Sequence, residues 1–141
     1  MKVLLVGATG TLGGAVAKEL SGQAISFRCL VRKTADTTHL RKLGAELAHG
    51  DLRDNAVLAE AMAGIDAVIS SFTTRLPPKN SGDFWEVDYG GNLSLIRLAQ
   101  ANAVKKYIFV SYWGLAKFSN FEHGKVKKMV EDLLMVSGLY N

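Results

Sequence analysis

The stretch Met1–Gly14, MKVLLVGATGTLGG, constrains this chain more than any other. Val3, Leu4, Leu5 and Val6 form a continuous apolar run, the pattern of a strand buried on both faces of a parallel sheet. Gly7, Gly10 and Gly13 then recur at every third position, and an amphipathic stretch over Leu12–Leu20 begins as they end. Gly7 allows a sharp turn off the strand, and Gly13 lets the new helix sit close against it. Gly10 has no Cβ, so a diphosphate can approach the backbone, where the helix start offers unpaired N–H groups and the positive end of its dipole. Thr9 and Thr11 add hydroxyl donors, and Leu12 lies in the same first turn. A glycine triplet alone says little; directly after an apolar strand and opening a helix, it predicts a dinucleotide-binding turn.

The rest of the chain alternates strand and helix. Strands are predicted over 25–31, 45–48, 66–71 and 107–110, and helices around Leu40–Leu43 and over 55–63, 83–102 and 125–136. Ala15, Val16, Ala17 and Leu20 give the first helix its buried stripe. Asp54 is placed as the N-cap of the 55–63 helix, with Val57, Leu58, Ala61 and Met62 facing inward. Leu93, Ile96, Ala99 and Ala103 make the stripe of the long helix. Gly90 and Gly91 inside it cost about 1 kcal/mol each against alanine, which predicts a close approach there. Phe72–Gly82, with Pro77, Pro78 and Asn80, is the clearest loop, and Ser111–His123 reads as irregular. This alternation predicts an α/β fold of three αβα layers, a doubly wound parallel sheet of strand order 3-2-1-4-5.

With 141 residues, 48% of them hydrophobic, one domain spanning 1–141 is expected. No apolar run approaches the roughly 20 residues that cross a bilayer, and Met1 leads straight into the first strand, so neither a membrane segment nor a leader is expected. Cys29, the only cysteine, cannot form an internal disulfide, and a reducing, cytoplasmic setting follows. The net charge of +4 gathers late, at Lys117, Lys125, Lys127 and Lys128. Glu122, Glu131 and Asp132 interleave with these lysines, so they read as a solvated helix face rather than a nucleic-acid surface.

In such a fold the ligand binds at the carboxyl ends of the strands, where the strand order reverses. After the second strand stand Arg32 and Lys33. An acidic residue there would read a free ribose, whereas arginine suits a 2′-phosphate, so NADP(H) is favoured and NAD(H) is the alternative. After the third strand, Asp51 is either an acceptor for the adenine amino group, with Leu52 on the ring, or an ordinary Asp-turn residue. Ser70, Ser71, Phe72 and Thr73 follow the fourth strand, beside the diphosphate and the nicotinamide ribose. Ser111 follows the fifth, where substrate or nicotinamide should sit. A lysine near that ribose can hold its hydroxyls and lower the pKa of a proton donor. Spacing alone does not choose among Lys125, Lys127 and Lys128.

The segments GATGTLGG, CLVRK, GDLRD, DAVISS, VDYGGNLSLIRLAQANAVKKYIFVS and KVKKMVEDLLMVSGL together resemble the NmrA-like, atypical short-chain dehydrogenase/reductase proteins. The resemblance covers nearly the whole chain. It implies an NAD(P)-binding Rossmann fold, in a group that includes quinone and aromatic-compound reductases as well as redox sensors and regulators. It implies Gly7–Gly13 as the diphosphate loop, Arg32 as the 2′-phosphate contact, Asp51 and Leu52 at the adenine edge, and Phe72 and Thr73 as a wall. The family's active-site lysine matches Lys127, with Lys125 as the alternative register. Enzymatic relatives of the extended type carry tyrosine four residues before that lysine; here the position is His123, which can still donate a proton near neutral pH. Relatives continue past the SGL turn into a sixth strand and a smaller substrate lobe, whereas this sequence stops at Leu139-Tyr140-Asn141. Two functions are therefore weighed. One is an NADPH-dependent reductase using Lys127, His123 and Ser111. The other is a non-enzymatic NADP(H) sensor or structural subunit, whose uncovered fifth-strand edge is open to self-association or a protein partner.

Overall fold

The computed structural model describes residues 1–76, 78–80, 82–112, 114, 117 and 120–139. Pro77, Tyr140 and Asn141, named above in the loop and at the end of the sequence, lie outside the described residues. Five strands, β1 (Lys2–Val6), β2 (Ser26–Val31), β3 (Glu46–His49), β4 (Ala67–Ser70) and β5 (Lys106–Phe109), form one sheet in the order β3-β2-β1-β4-β5. Each neighbouring pair is parallel.

Because side chains alternate along a strand, β1 feeds two cores. Leu4 and Val6 pack with Leu58 and Met62 of α3 (Asn55–Met62), Leu95 and Ile96 of α4 (Gly90–Ala101), and Val130 and Leu134 of α5 (Glu122–Val136). Val3 and Leu5 pack on the other face with Ala17 and Leu20 of α1 (Thr11–Gly22), Phe27 and Cys29 of β2, and Leu40 of α2 (Thr38–Lys42). Both faces are covered, and the fold is the doubly wound Rossmann arrangement expected from the sequence. Cys29 is wholly buried, and burial pushes its thiol up to about 12. Asp54 caps α3 as expected, accepting from the N–H groups of Ala56 at 3.0 Å and Val57 at 3.3 Å.

Several local expectations change. The helix expected over 83–102 is not uniformly α: Phe84–Tyr89 is a π-helical segment, and α4 follows it. Phe84 and Asp88, four residues apart and so on one face, both lie in the interior, and a reading of apolar residues alone places only Phe84 there. Ala103 does not extend the apolar stripe. It is exposed at φ +53°, just past the helix end, and Val104 takes the buried place. Ala15 faces solvent on α1. Ser70, expected beside the diphosphate, is wholly buried and donates to Asn92 Oδ1 at 2.7 Å. The close approach predicted for the double glycine belongs to Gly91, where a Cβ would stand 3.2 Å from Leu52 Cβ and 3.4 Å from Phe72 Cζ. Finally, α5 starts at Glu122, about a turn earlier than the sequence suggests, which brings His123 into the helix.

Candidate functional site

The strand order reverses between β1 and β4, and the glycine loop opens there. Gly7 takes φ +93°, and a Cβ on it would lie 2.6 Å from the Phe72 nitrogen. A Cβ on Gly13 would lie 2.0 Å from the Gly7 carbonyl oxygen. Both glycines are therefore fixed by packing. Ser71 seals the floor, since its N–H and its hydroxyl both donate to the Val6 carbonyl at 2.9 Å. Gly10 is different: it is the N-cap of α1 with no side-chain cap, and a Cβ there would meet only the Gly7 carbonyl oxygen, at 3.4 Å. Gly10 also lies exposed with Thr9, Thr11 and Leu12 around it. An uncapped helix start with its first N–H groups unpaired is an anion site, and the cradle left by Gly10 fits a diphosphate.

Farther along the same edge, Arg32 and Lys33 follow β2 and are exposed. Asp51 is engaged by a residue that the sequence reading did not single out. Arg53 donates from Nε to Oδ1 and from Nη2 to Oδ2, each at 2.8 Å, while its backbone N–H donates to Oδ1 at 2.9 Å. The Arg53 side chain, more than the nearby charge of Arg32, holds the Asp51 carboxyl down to about 2. The backbone bond is the Asp-turn geometry; the pairing was legible only as an arginine two positions on. Leu52 and Phe72 are half-buried against the core and meet over Gly91.

At the ends of β4 and β5 the structure gathers a polar cluster. Lys127 is the inward lysine, 4% exposed, whereas Lys125 faces solvent. Its Nζ donates to the Val110 carbonyl at 3.0 Å and sits 4.8 Å from the Phe109 ring centroid. Burial pushes its pKa down, against the opposing pull of Asp88 and Glu131. Ser111 Oγ is buried and, among the described residues, has no hydrogen-bond partner, an orphaned group at the place expected for nicotinamide or substrate. His123 is buried, stacked on Phe84 with centroids 4.9 Å apart. Its Nε2 lies 2.7 Å from Thr73 Oγ1, and its Nδ1 lies 3.2 Å from the Tyr112 hydroxyl. Asp88, also buried, accepts from Thr73 Oγ1 at 3.0 Å and from the Thr74 N–H and hydroxyl. The structure thus joins Lys127, His123, Ser111 and Thr73, and adds Asp88 and Tyr112. Asp88 shares a helix face with Phe84, four residues before it, but an apolar pattern does not count a carboxylate as buried. Tyr112 adjoins Ser111 in sequence, but no spacing pairs it with His123.

Burial lowers the His123 pKa from 6.5; Asp88 opposes this and Lys127 adds to it. The unfolded chain then binds more protons than the folded one just below the unfolded value, so stability rises with pH through that window. Thermal unfolding should show wild type losing stability as pH falls below about 6.5, and His123→Gln should flatten that part of the profile. An unchanged profile in the variant would contradict the buried neutral imidazole.

This fold and loop define a dinucleotide-binding α/β domain of the doubly wound type. Residues 7–139 match the family described as NAD(P)H-binding, and the chain belongs to that family. It is 35% identical over 139 residues to the photosystem II assembly factor Ycf39 of Cyanophora paradoxa, covering 99% of this chain and 43% of that protein. It is 32% identical over 123 residues to the NAD(P)H azoreductase of Xenophilus azovorans, covering 87% of this chain and 40% of that one. Triphenylmethane reductase from Citrobacter sp., solved with NADP(H), superposes with a TM-score of 0.75 at 21% identity, over 99% of this chain and 46% of its own. The chain spans less than half the length of each of these proteins. Among the described residues no helix is long and apolar enough to cross a membrane.

Proposed function

We propose that residues 1–141 form one dinucleotide-binding domain that takes NADP(H) in preference to NAD(H), as part of a reductase-type protein. The observation that carries this reading is the uncapped start of α1 at the β1–β4 switch point, with Gly10 as its open floor. Gly7, Thr9, Gly10, Thr11, Leu12 and Gly13 would hold the diphosphate. Arg32 and Lys33 would meet a 2′-phosphate, Asp51 and Leu52 the adenine edge, and Ser71, Phe72 and Thr73 the wall toward the nicotinamide. Lys127 would hold the ribose, and Ser111 would offer its hydroxyl to the nicotinamide or an acceptor. When bound, the reduced cofactor supplies hydride; the residues here orient it and handle the proton.

A second reading, a regulatory or assembly role without turnover, is favoured by the likeness to a photosystem II assembly factor. In that reading a partner or a second copy would meet the face of β5 on which Ile108 is 51% exposed. Either role suits the cytoplasm, because the lone buried Cys29 fits a reducing compartment.

NADPH oxidation by the purified chain, with a panel of quinones and aromatic carbonyls and the mass in solution recorded, separates the readings. The expected result is cofactor binding with little or no steady-state turnover. Tyr112 and Phe121 are 42% and 66% exposed, so the site is open to water. Orientation in a closed site supplies about 7–11 kcal/mol of barrier lowering. Robust turnover by the monomer would contradict this expectation and dispose of the non-catalytic reading.

A further inference from the structure

We infer that Tyr112 is the proton-donating residue of this site, held and recharged by a buried Asp88–Thr73–His123 chain, for a flat aromatic ketone or quinone. The inference rests on the reductase-type reading above and assigns its acid to a residue outside the helix that carries Lys127.

The hydrogen positions follow from the partners. Thr73 has one hydroxyl proton, and a carboxylate oxygen lies 3.0 Å away, so Thr73 donates to Asp88. Its oxygen must then accept from His123 Nε2–H, at 2.7 Å. In the neutral ring Nδ1 carries no proton and accepts from the Tyr112 hydroxyl, at 3.2 Å. His123 is therefore engaged at both nitrogens and buried, while Tyr112 is 42% exposed. The phenol is the member of the chain with access to a ligand. Beside it lies a cavity of about 180 Å³ lined by Tyr112, Phe121, His123 and Gly124. The depression is open on one side, and its two aromatic walls, Tyr112 and Phe121, favour a flat ring.

Protonating His123 reverses the last bond. Nδ1–H then donates to the Tyr112 oxygen, and the phenolic O–H is released toward the cavity. A reduced dinucleotide bound at the start of α1 would supply hydride to the carbonyl carbon of the acceptor and would itself be oxidised. The carbonyl π bond breaks, and its oxygen takes the Tyr112 proton to form the alcohol. The phenolate takes the Nδ1 proton, leaving neutral His123 with its proton on Nε2, and solvent restores the imidazolium. The charged groups facing His123 are Asp88, from the π-helical segment, and Lys127, from its own helix; Thr73 and Tyr112 face it from the β4 and β5 loops. Asp88, Thr73 and His123 act through Tyr112 and are positioning residues.

The test uses NMR of the whole chain with labelled histidine and tyrosine. His123 should carry its neutral-state proton on Nε2, and the Tyr112 Cζ signal should move with the His123 titration, which burial holds below the ordinary imidazole range. That coupling should vanish in His123→Gln, and Thr73→Val should shift its midpoint. Menadione added to the NADP⁺-loaded chain should move the Tyr112 Cζ signal, and Tyr112→Phe, which keeps the ring, should bind it about fivefold more weakly with NADP⁺ affinity unchanged. A proton on Nδ1, a Tyr112 signal indifferent to His123, or menadione binding unaffected by Tyr112→Phe would overturn the inference. Failure to bind NADP⁺ would instead overturn the cofactor reading, and the histidine–tyrosine coupling would still be measurable without it.

Discussion

Gly10→Val is expected to abolish dinucleotide binding while leaving the fold native. At Gly10 the backbone is extended, φ −83° and ψ 168°, a conformation open to any residue. A Cβ there finds only the Gly7 carbonyl oxygen, at 3.4 Å, so the free domain has no clash to relieve. The branched side chain would nevertheless stand at the uncapped start of α1, in the space proposed for the diphosphate. Charge-assisted hydrogen bonds contribute about 1.5–3 kcal/mol each, so losing two would weaken binding by about 100-fold or more. Gly13→Ala is the contrast, because its Cβ would fall 2.0 Å from the Gly7 oxygen and the fold itself must shift. Circular dichroism with calorimetric titration checks both; a native-like Gly10→Val that still binds would move the diphosphate elsewhere.

Arg32→Glu should carry the next largest effect, confined to the choice of cofactor. Arg32 is exposed at the carboxyl end of β2, and among the described residues no carboxylate pairs with it, whereas Arg53 is taken by Asp51. A guanidinium on a 2′-phosphate is worth about 1.5–3 kcal/mol, or roughly 10- to 100-fold in affinity. The variant should lose that factor for NADPH and keep or gain affinity for NADH, because a carboxylate there can accept from the ribose hydroxyl. If the preference survives, Arg32 does not contact the phosphate.

The fold was legible in the sequence because its evidence is local. An unbroken apolar run, glycines at the turn and alternating strand and helix patterns leave few topologies open. Gly7, Gly13 and Asp54 could be assigned jobs in advance because each job is done within a few residues in sequence. The polar cluster was less legible. Lys127 and Lys125 are equivalent by composition, and only the rotation of α5, fixed by Val126, Val130 and Leu134 in the core, turns Lys127 inward. Asp88 sits on the buried face four residues after Phe84, where an apolar pattern expects no carboxylate, and Tyr112 meets His123 across a loop. Ser70 misled for the opposite reason: a serine at a strand end suggests a ligand contact, but Asn92 and Tyr107 complete a buried network around it.

The most direct test of the account is a parallel calorimetric titration of the wild-type chain with NADPH and NADH. Binding of both, with NADPH tighter by about 10- to 100-fold, is the predicted result. No binding of either would contradict the dinucleotide site at the start of α1, and equal affinities would contradict the reading of the β2 edge as a 2′-phosphate site.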